Sequence, residues 1–381
     1  MTPPDRFATV AVEAGRALEV EITAYLVDYE QQHLHPVPGP HTAGREPLGV
    51  DSSLAGRSFR DLDIMPTSGA DPRLWVPLLD GVERLGVLEV GLGDPGRQDD
   101  AELRSHLVWL AALLGHLVSV MTHYGDGLDA VRRQRPRSTA AELIWQLLPP
   151  LTAGTDDVVV AGLVEPCYDT GGDAFDYALS ATTAHLAIFD ATGHTLDSGL
   201  TTAMALSADR RARRDGATLL DRVRAIDEVI GADADGAGRM LTAVLAELDL
   251  GTGLLRYVAA GHPYPLLVRD GKVVKSLSDG RRPLFGLPAG ELVEGTEQLE
   301  PGDWLVLYTD GITEARDENG GFFGLDRLED FMEREIRSGL APPEMVRRLV
   351  ANVLSHQRGV LQDDASIVVA QWAHLYAELT P

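Results

Sequence analysis

The chain has 381 residues, and its 58 Asp and Glu side chains outnumber its 33 Lys and Arg side chains, which gives a formal net charge of −25. A hydrophobic fraction of 44% with 24% charged residues is typical of a folded globular protein, and the length suggests roughly two or three domains. This acidity argues against nucleic acid or an anionic membrane as a partner, because both need clustered Lys and Arg.

Cysteine content and apolar runs indicate a cytoplasmic location. The single cysteine, Cys167, can form neither an internal disulfide nor a thiolate metal cluster, which fits a reducing compartment. The first residues lack the basic start and apolar stretch of a signal peptide. The longest apolar run, 107–121, contains His116 and Ser119 and falls short of the ~20 residues that span a bilayer.

Residues 1–125 predict an α+β domain. A helix over 6–18 precedes a strand at 20–27, and strands at 74–79 and 85–90 flank the hairpin turn Asp80-Gly81. The domain closes with a helix over about 99–123. Its apolar stripe either packs on the domain's own sheet or pairs across a two-fold axis, and we favour a homodimer. The stripe consists of Leu103, Leu107, Leu110, Leu114 and Leu117.

Residues 126–150 predict a helical linker. Pro136, within the basic segment 132–137, breaks any continuous helix there. A new helix begins after the N-cap candidate Ser138 and stops before Pro149-Pro150.

Residues 151–381 combine short strands with helix pairs. Strand patterns occur at 158–161, 185–189, 254–258, 265–268, 304–308 and 367–369, and helical patterns at 198–213, 217–230, 325–337 and 342–356. Antiparallel hairpins interleaved with helix pairs predict the α+β class rather than a doubly wound parallel sheet.

Aspartates at strand ends carry the chemical signal in this region. Asp173 follows two glycines, Asp190 and Asp310 follow strands, and Asp363-Asp364 precede one. Converging carboxylates repel one another unless cations lie between them, and oxygen ligands suit Mg²⁺ or Mn²⁺. Each aspartate alone is also an ordinary turn residue, so spacing leaves a metal site and simple turns both open.

Six segments in chain order resemble the SpoIIE-type branch of the PPM family of metal-dependent serine/threonine phosphatases, over residues 140–371. They are Glu142-Leu143-Ile144-Trp145-Gln146-Leu147-Leu148-Pro149-Pro150, Gly171-Gly172-Asp173-Ala174-Phe175-Asp176, Asp190-Ala191-Thr192-Gly193-His194, Ala259-Ala260-Gly261-His262-Pro263, Leu307-Tyr308-Thr309-Asp310-Gly311-Ile312-Thr313-Glu314-Ala315 and Asp363-Asp364-Ala365-Ser366. The resemblance implies two antiparallel sheets packed face to face, with helices outside and two Mn²⁺ or Mg²⁺ ions at one edge.

The resemblance also implies a ligand set. Asp190 would bridge both ions with the Ala191 carbonyl as a further ligand, Asp173 would bind one ion, and Asp310 and Asp363 the other. Asp364 would be either a direct ligand or a support behind the ligands. The implied reaction is direct hydrolysis of a phosphate monoester by water, without a phosphoenzyme.

Two histidines and three departures from the family pattern accompany this set. His194 is either a general acid for the leaving group or a loop anchor, and His262 is interpreted as structural. Ala174, Phe189 and Thr195 replace the residues that the family usually has, and we expect them to crowd or reshape the site.

Residues 1–125 resemble a GAF domain less specifically, through Tyr25-Leu26-Val27-Asp28, 53–59, 75–81 and 85–88. The resemblance implies a small ligand that we cannot name, or a role in dimerisation. His33, His35 and His41 lie in the loop over such a pocket, and we interpret them as solvated rather than as metal ligands. In the phosphatase family the helix before the catalytic domain positions a switch segment, and Trp145 and Leu148 would make that contact.

These features favour a phosphoserine/phosphothreonine protein phosphatase that is regulated by its GAF-like domain. By resemblance its substrate would be a phosphorylated anti-anti-sigma factor, a STAS-domain protein. Two alternatives stay open: a degenerate phosphatase domain that signals without catalysis, and a phosphatase for small phosphoesters.

Overall fold

The structure is a computed structural model that describes residues 6–67, 71–165, 168–169, 171–193, 195–231, 238–359 and 361–372. The chain divides into two compact units between Pro136 and Arg137. The predicted linker, 126–150, is therefore shared between the two units.

The first unit is built on one six-stranded sheet. Its elements are α1 (Phe7–Ala17), β1 (Glu21–Val27), β2 (His33–Pro36), β3 (Leu48–Gly49), α2 (Leu54–Asp61), β4 (Met65–Pro66), β5 (Arg73–Asp80), β6 (Glu83–Gly91), a 3₁₀ turn (Pro95–Arg97), α3 (Ala101–Thr122) and α4 (Gly127–Arg132). The strand order is β3-β2-β1-β6-β5-β4, and each pair is antiparallel.

Helix α3 packs on one face of this sheet through the predicted stripe. Leu103, Leu107 and Leu114 are buried among residues of β1, β5 and β6, and Leu110 and Leu117 pack at the margin of the same core. Our interpretation that this stripe pairs across a two-fold axis is therefore wrong, because the domain's own sheet covers it. By length and composition alone, α3 is apolar enough to cross a membrane.

The other face of the sheet is filled by the protein's own side chains. Tyr25 and Trp75 meet edge to face with ring centroids 5.7 Å apart, and Phe59 from α2 joins the same cluster. His33 and His35 lie 3.6 and 3.4 Å from the carboxylate of the buried Asp28. These two histidines therefore face a carboxylate and are not simply solvated.

Within the described residues, the second unit contains twelve strands and several helices around them. Its elements are α5 (Thr139–Leu147), β7 (Thr152–Gly154), β8 (Val158–Glu165), β9 (Asp173–Leu179), β10 (Thr183–Ala191), α6 (Leu196–Arg214), α7 (Leu219–Gly231), β11 (Leu241–Asp249), β12 (Leu254–Ala260), β13 (Leu266–Arg269), β14 (Lys272–Ser276), β15 (Arg281–Arg282), β16 (Gly295–Gln298), β17 (Trp304–Tyr308), α8 (Asp310–Thr313), α9 (Gly324–Arg337), α10 (Pro342–His356) and β18 (Ala365–Trp372).

These strands form two sheets that pack face to face. One has the order β15-β12-β11-β10-β9, with β16 beside β12, and the other β14-β13-β17-β18-β8-β7. Alternate residues of both sheets, such as Ile188, Val244 and Val369, share one apolar core. Helices α5, α6 and α7 cover the outer face of the first sheet, and α9 and α10 pack on the second. The predicted sandwich with outer helices is confirmed.

A buried ion pair joins the two outer helices α6 and α7. Arg222 on α7 is fully buried and donates to both carboxylate oxygens of Asp209 on α6, at 2.7 and 3.1 Å. A third bond runs from Arg222 to Nδ1 of His185 on β10, and burial lowers the pKa of that imidazole to about 4. The helix pair is thus fixed to the sheet by one guanidinium.

We expect Arg222→Ala to lower the free energy of unfolding of the second unit by about 3–5 kcal/mol, because it removes both hydrogen bonds to the buried Asp209 and leaves it only Arg213, 3.8 Å away, as a counter-charge. Arg224→Ala is the matched control, since it removes the same side chain two residues along α7 from an exposed pair with Asp221. Denaturant unfolding of the intact chain measures both. Equal losses in the two variants would contradict a structural role for the buried pair.

Candidate metal centre

One edge of the first sheet brings Asp173 and Asp190 together. They are directly opposite each other in the antiparallel pairing of β9 with β10. The preceding loop approaches the end of β10 so closely that a Cβ on Gly172 would lie 2.3 Å from the Ala191 carbonyl oxygen. Only glycine fits at this position, which explains why a glycine directly precedes Asp173.

The second sheet contributes Asp310 and Asp363 from its own neighbouring strand ends. Asp310 begins the single turn α8 directly after β17, and Asp363 lies two residues before β18, which pairs with β17. A Cβ on Gly311 would lie 1.9 Å from the Asp364 carbonyl oxygen, so the Asp-Gly pair permits this close approach. The predicted ligands from both sheets therefore meet at one end of the sandwich.

Asp364 connects the two halves of this edge. One of its carboxylate oxygens, Oδ2, accepts hydrogen bonds from the backbone N–H groups of Gly171 and Gly172 at 2.8 and 2.9 Å, and from that of Asp173 at 3.4 Å. Three amide donors on one oxygen hold the loop that presents Asp173. Of the two roles left open for Asp364, this geometry favours the support behind the ligands.

Burial and mutual repulsion raise the pKa values of these carboxyl groups. Burial and then the charges of Asp310 and Asp363 raise the pKa of Asp190 to about 7. Burial, Asp190 and Asp364 raise the pKa of Asp173 well above its usual range. Burial also raises the pKa of Asp310, helped by Glu314 and Asp363. Several acids that disfavour one another's ionisation are the electrostatic setting of a cation site.

Threonines hold the carboxylates, and the sequence analysis did not identify them. Thr309 is fully buried and donates to Oδ2 of Asp173 at 2.9 Å. Thr242 lies 3.5 Å from Oδ2 of Asp190 and 2.7 Å from Nδ1 of His262. His262 thus ties the end of β12 to β11, as predicted, and burial lowers the pKa of its imidazole to about 3, which keeps it neutral.

The three departures from the family pattern each have a defined place in the structure. Ala174 and Phe189 are fully buried in the cluster under α6 and α7, on the opposite face of the sheet from Asp190. Thr195 is the N-cap of α6, where its backbone N–H bonds to Ser198 Oγ at 2.9 Å. Ala174 and Phe189 thus point away from the carboxylates, and the expectation that the three departures reshape the site stays a prediction. His194, with its two possible roles, lies outside the described residues.

Helix α5 is bonded to the strand that begins with Asp173. Arg210 on α6 donates to the carbonyl oxygen of Leu147 at 2.7 Å and to Asp176 on β9 at 2.6 Å. Trp145 and Leu148 are partly buried against the core of the second unit. The predicted contact of these two residues with the catalytic domain therefore exists, and Arg210 is an addition to it.

The donor set fits a hard divalent cation. It consists of carboxylate oxygens and one backbone carbonyl, the ligands that Mg²⁺ and Mn²⁺ prefer. Among the residues that the structure describes, no three acidic, His or Cys side chains already stand close enough to form a cage for one ion. Asp173 and Asp364 are instead turned toward hydroxyl and amide donors. The ligand assignments of Asp173, Asp190, Ala191, Asp310 and Asp363 stay predictions.

Comparison with known proteins agrees with this architecture. A family model described as Stage II sporulation protein E (SpoIIE) matches residues 180–373, slightly more than half of the chain. The phosphoserine phosphatase RsbU of Bacillus subtilis is 24% identical over 274 residues, which cover 67% of this chain and 78% of RsbU. Protein IcfG of Synechocystis sp. is 27% identical over 152 residues, 40% of this chain but only 23% of IcfG.

A solved structure supports the fold of the second unit. The SiaA-PP2C domain of Pseudomonas aeruginosa superimposes with a TM-score of 0.53 at 22% identity, and the match covers 67% of this chain and 99% of that domain. At this level of identity the likeness concerns the fold alone.

When divalent cations are absent, we expect the free energy of unfolding of the second unit to decrease as the pH rises from about 4 to about 7. The pKa of Asp190 rises from its ordinary 3.8 to about 7 on folding, so the folded chain holds more protons than the unfolded chain in that interval. Added Mg²⁺ or Mn²⁺ therefore raises the melting temperature more at about pH 8 than at about pH 5. Thermal melts with chelator or metal measure this.

Asp190→Asn supplies the control for these melts, because it removes the charge and keeps the shape. The variant is expected to show a weaker loss of stability with pH and a smaller response to metal. A metal-induced rise in melting temperature of equal size at both pH values would contradict a cation site at this edge. So would a rise in Asp190→Asn as large as that of the wild type.

Proposed function

Because the chain belongs to the SpoIIE family of PPM-type phosphatases, we propose that it hydrolyses phosphoserine or phosphothreonine in a protein. One observation carries the proposal: Asp173, Asp190, Asp310 and Asp363 come from the ends of two different sheets and meet at one edge, where burial and neighbouring carboxylates raise the pKa values of Asp173, Asp190 and Asp310. The similarity to a phosphoserine phosphatase over 78% of that protein's length supports the choice of substrate bond.

Each residue of the edge has a distinct task in this proposal. Asp190 and Asp173 would contribute metal ligands from the first sheet, and Asp310 and Asp363 would contribute them from the second. Two Mn²⁺ or Mg²⁺ ions held there would supply activation of water and compensation of phosphate charge. Thr309 orients Asp173, and Thr242 orients Asp190, so the carboxylates are positioned before substrate arrives.

The substrate that we propose is a phosphorylated STAS-domain anti-anti-sigma factor in a partner-switching pathway in the cytoplasm. The support is the similarity to RsbU and membership of the SpoIIE family. The first unit is proposed to be a GAF-like regulatory domain that binds a small ligand and forms the homodimer. Because α3 uses the Leu103–Leu117 stripe on its own sheet, such a dimer would use another surface.

The alternative of a degenerate, non-catalytic phosphatase domain loses its main support in the structure. Ala174, Phe189 and Thr195 suggested it, but the first two lie in the core under α6 and α7, and Thr195 is the N-cap of α6. The candidate ligands all remain in the sequence.

We expect metal-dependent release of inorganic phosphate from a phosphoserine protein or peptide when Mn²⁺ is titrated. Asp310→Asn is expected to lower kcat/KM by more than about 100-fold, since it removes a ligand charge while it keeps the shape of the side chain. Asp249→Asn is a matched control, because Asp249 also accepts from backbone amides of its own turn, those of Gly251 and Thr252, but lies at the opposite end of β11 from Thr242. Inactivity of the wild type under saturating Mn²⁺ would favour the non-catalytic alternative.

Helix α5 gives a second test. Trp145→Ala removes a partly buried side chain of this helix that packs on the catalytic core, and Arg210→Met removes the bond between the helix end and β9. Each variant is expected to raise the Mn²⁺ concentration at half-maximal activity, because the strand that begins with Asp173 is held less firmly. Metal titrations of activity measure this. Unchanged titrations and an unchanged oligomeric state in both variants would count against the switch role.

A further inference from the structure

The loop after α8 is a small β-hairpin with a defined internal structure. Arg316 and Phe322 form an antiparallel bridge, and Phe323 N–H donates to the Ala315 carbonyl at 2.7 Å. Its turn is closed by Asp317, whose Oδ1 accepts from the backbone N–H groups of Asn319 and Gly321, both at 2.8 Å. These bonds lower the pKa of Asp317 and fix the loop shape.

This hairpin is anchored beside the carboxylate edge. Its first residue, Glu314, donates its N–H to the Asp310 carbonyl and contributes to the raised pKa of Asp310. On the other side, Gln362, the residue before Asp363, lies 3.5 Å from the Arg316 carbonyl. His356, at the end of α10, donates from Nε2 to the Gly321 carbonyl oxygen at 3.1 Å, and its ring meets the ring of Phe323 edge to face. The hairpin, residues 314–323, is therefore held firmly next to Asp310 and Asp363.

The hairpin presents an exposed arginine side chain that lies over an exposed aromatic ring. The Arg316 guanidinium lies over the Phe322 ring at 4.8 Å from its centroid, and Phe322 is 50% exposed. Within the described residues, no carboxylate lies within salt-bridge distance of Arg316. Other arginines of this unit are committed to carboxylates, for example Arg210 and Arg213 to Asp176. Arg316 is thus a positive charge beside a strongly acidic edge, held in place by a ring.

We propose that Arg316 and Phe322 form the docking element for the substrate protein. Arg316 pairs with a carboxylate close in sequence to the phosphoserine, and Phe322 packs on a neighbouring apolar side chain. The proposal rests on the proposed phosphatase function and specifies which phosphoserine sites the enzyme selects. Arginine and aromatic side chains are the residues that most often dominate the energy of a protein interface. The opposite charge on the partner follows from complementarity, since a basic segment would be repelled by Arg316.

Docking, rather than binding of the phosphate itself, is the role that the geometry favours. The guanidinium lies over the ring of Phe322, on the second arm of the hairpin, whereas Glu314, the residue that meets Asp310, begins the first arm. A group placed there contacts residues that flank the phosphoserine. A small phosphate ester has no flanking residues, so its hydrolysis is expected to be independent of Arg316.

The test uses the full-length chain with Mn²⁺ and three substrates. Two are phosphoserine peptides that differ only within about three positions of the phosphoserine, one with Asp and Leu and the other with Lys and Ser. The third is p-nitrophenyl phosphate. Wild type is expected to prefer the acidic peptide by about 10-fold in kcat/KM, and Arg316→Glu to reverse that preference, mainly through KM. Hydrolysis of p-nitrophenyl phosphate stays within about twofold in both proteins.

Arg334→Glu is the matched control, because Arg334 also stacks over a phenylalanine, Phe331, but lies ten residues into α9. It is expected to keep the wild-type peptide preference. Equal kcat/KM for the two peptides in wild type would overturn the docking role and leave the proposed function intact. Hydrolysis of p-nitrophenyl phosphate without hydrolysis of either peptide would overturn both and favour a phosphatase for small phosphoesters. A parallel loss of p-nitrophenyl phosphate hydrolysis in Arg316→Glu would instead assign Arg316 to the phosphate. Absence of metal-dependent hydrolysis of all three substrates would refute the proposed function.

Discussion

Repulsion between buried carboxylates is the constraint on which the second unit depends. Folding places Asp173 opposite Asp190 on one sheet and brings Asp310 and Asp363 to the same edge from the other. In the absence of cations this arrangement is costly, and the raised pKa values of Asp173, Asp190 and Asp310 express that cost. The burial of apolar side chains between the sheets must therefore offset this electrostatic cost. A function that needs the carboxylates at this edge would explain why the cost is kept.

The penalty is contained by neutral donors rather than by basic side chains. Thr309 satisfies Asp173, and the amides of residues 171–173 satisfy Asp364. The buried arginine Arg222 is instead paired with Asp209 between the outer helices. Cationic side chains among the carboxylates would compete with divalent cations for the same oxygens. Neutral hydroxyl and amide donors leave the negative charge of the edge in place, so the edge can still attract divalent cations.

Local patterns were sufficient to predict most of the architecture. The helix over 342–356 and the strand at 304–308 have the predicted bounds, because Pro signals the start of the first and the apolar run defines the second. Strand β11 was missed, although Leu241–Asp249 alternates as a strand does, and Thr242 was missed with it. The function of Thr309 and Thr242 could not be predicted, since it depends on contacts across 136 and 52 residues of sequence. The stripe on α3 was assigned to the wrong partner, because periodicity identifies an apolar face but not what covers it.

The bond between Arg210, Asp176 and the Leu147 carbonyl has a consequence for sequence variation among relatives of this chain. A single guanidinium serves a buried acid and a helix end at once, and the same acid also pairs with Arg213 at 3.0 Å. Loss of Asp176 would leave two cations without this counter-charge, and loss of Arg210 would leave the buried Asp176 with Arg213 alone. Either change by itself weakens the attachment of the helix end. Positions 176 and 210 are therefore expected to covary. In relatives where both positions are neutral, we expect helix α5 to be attached to the sandwich by other contacts.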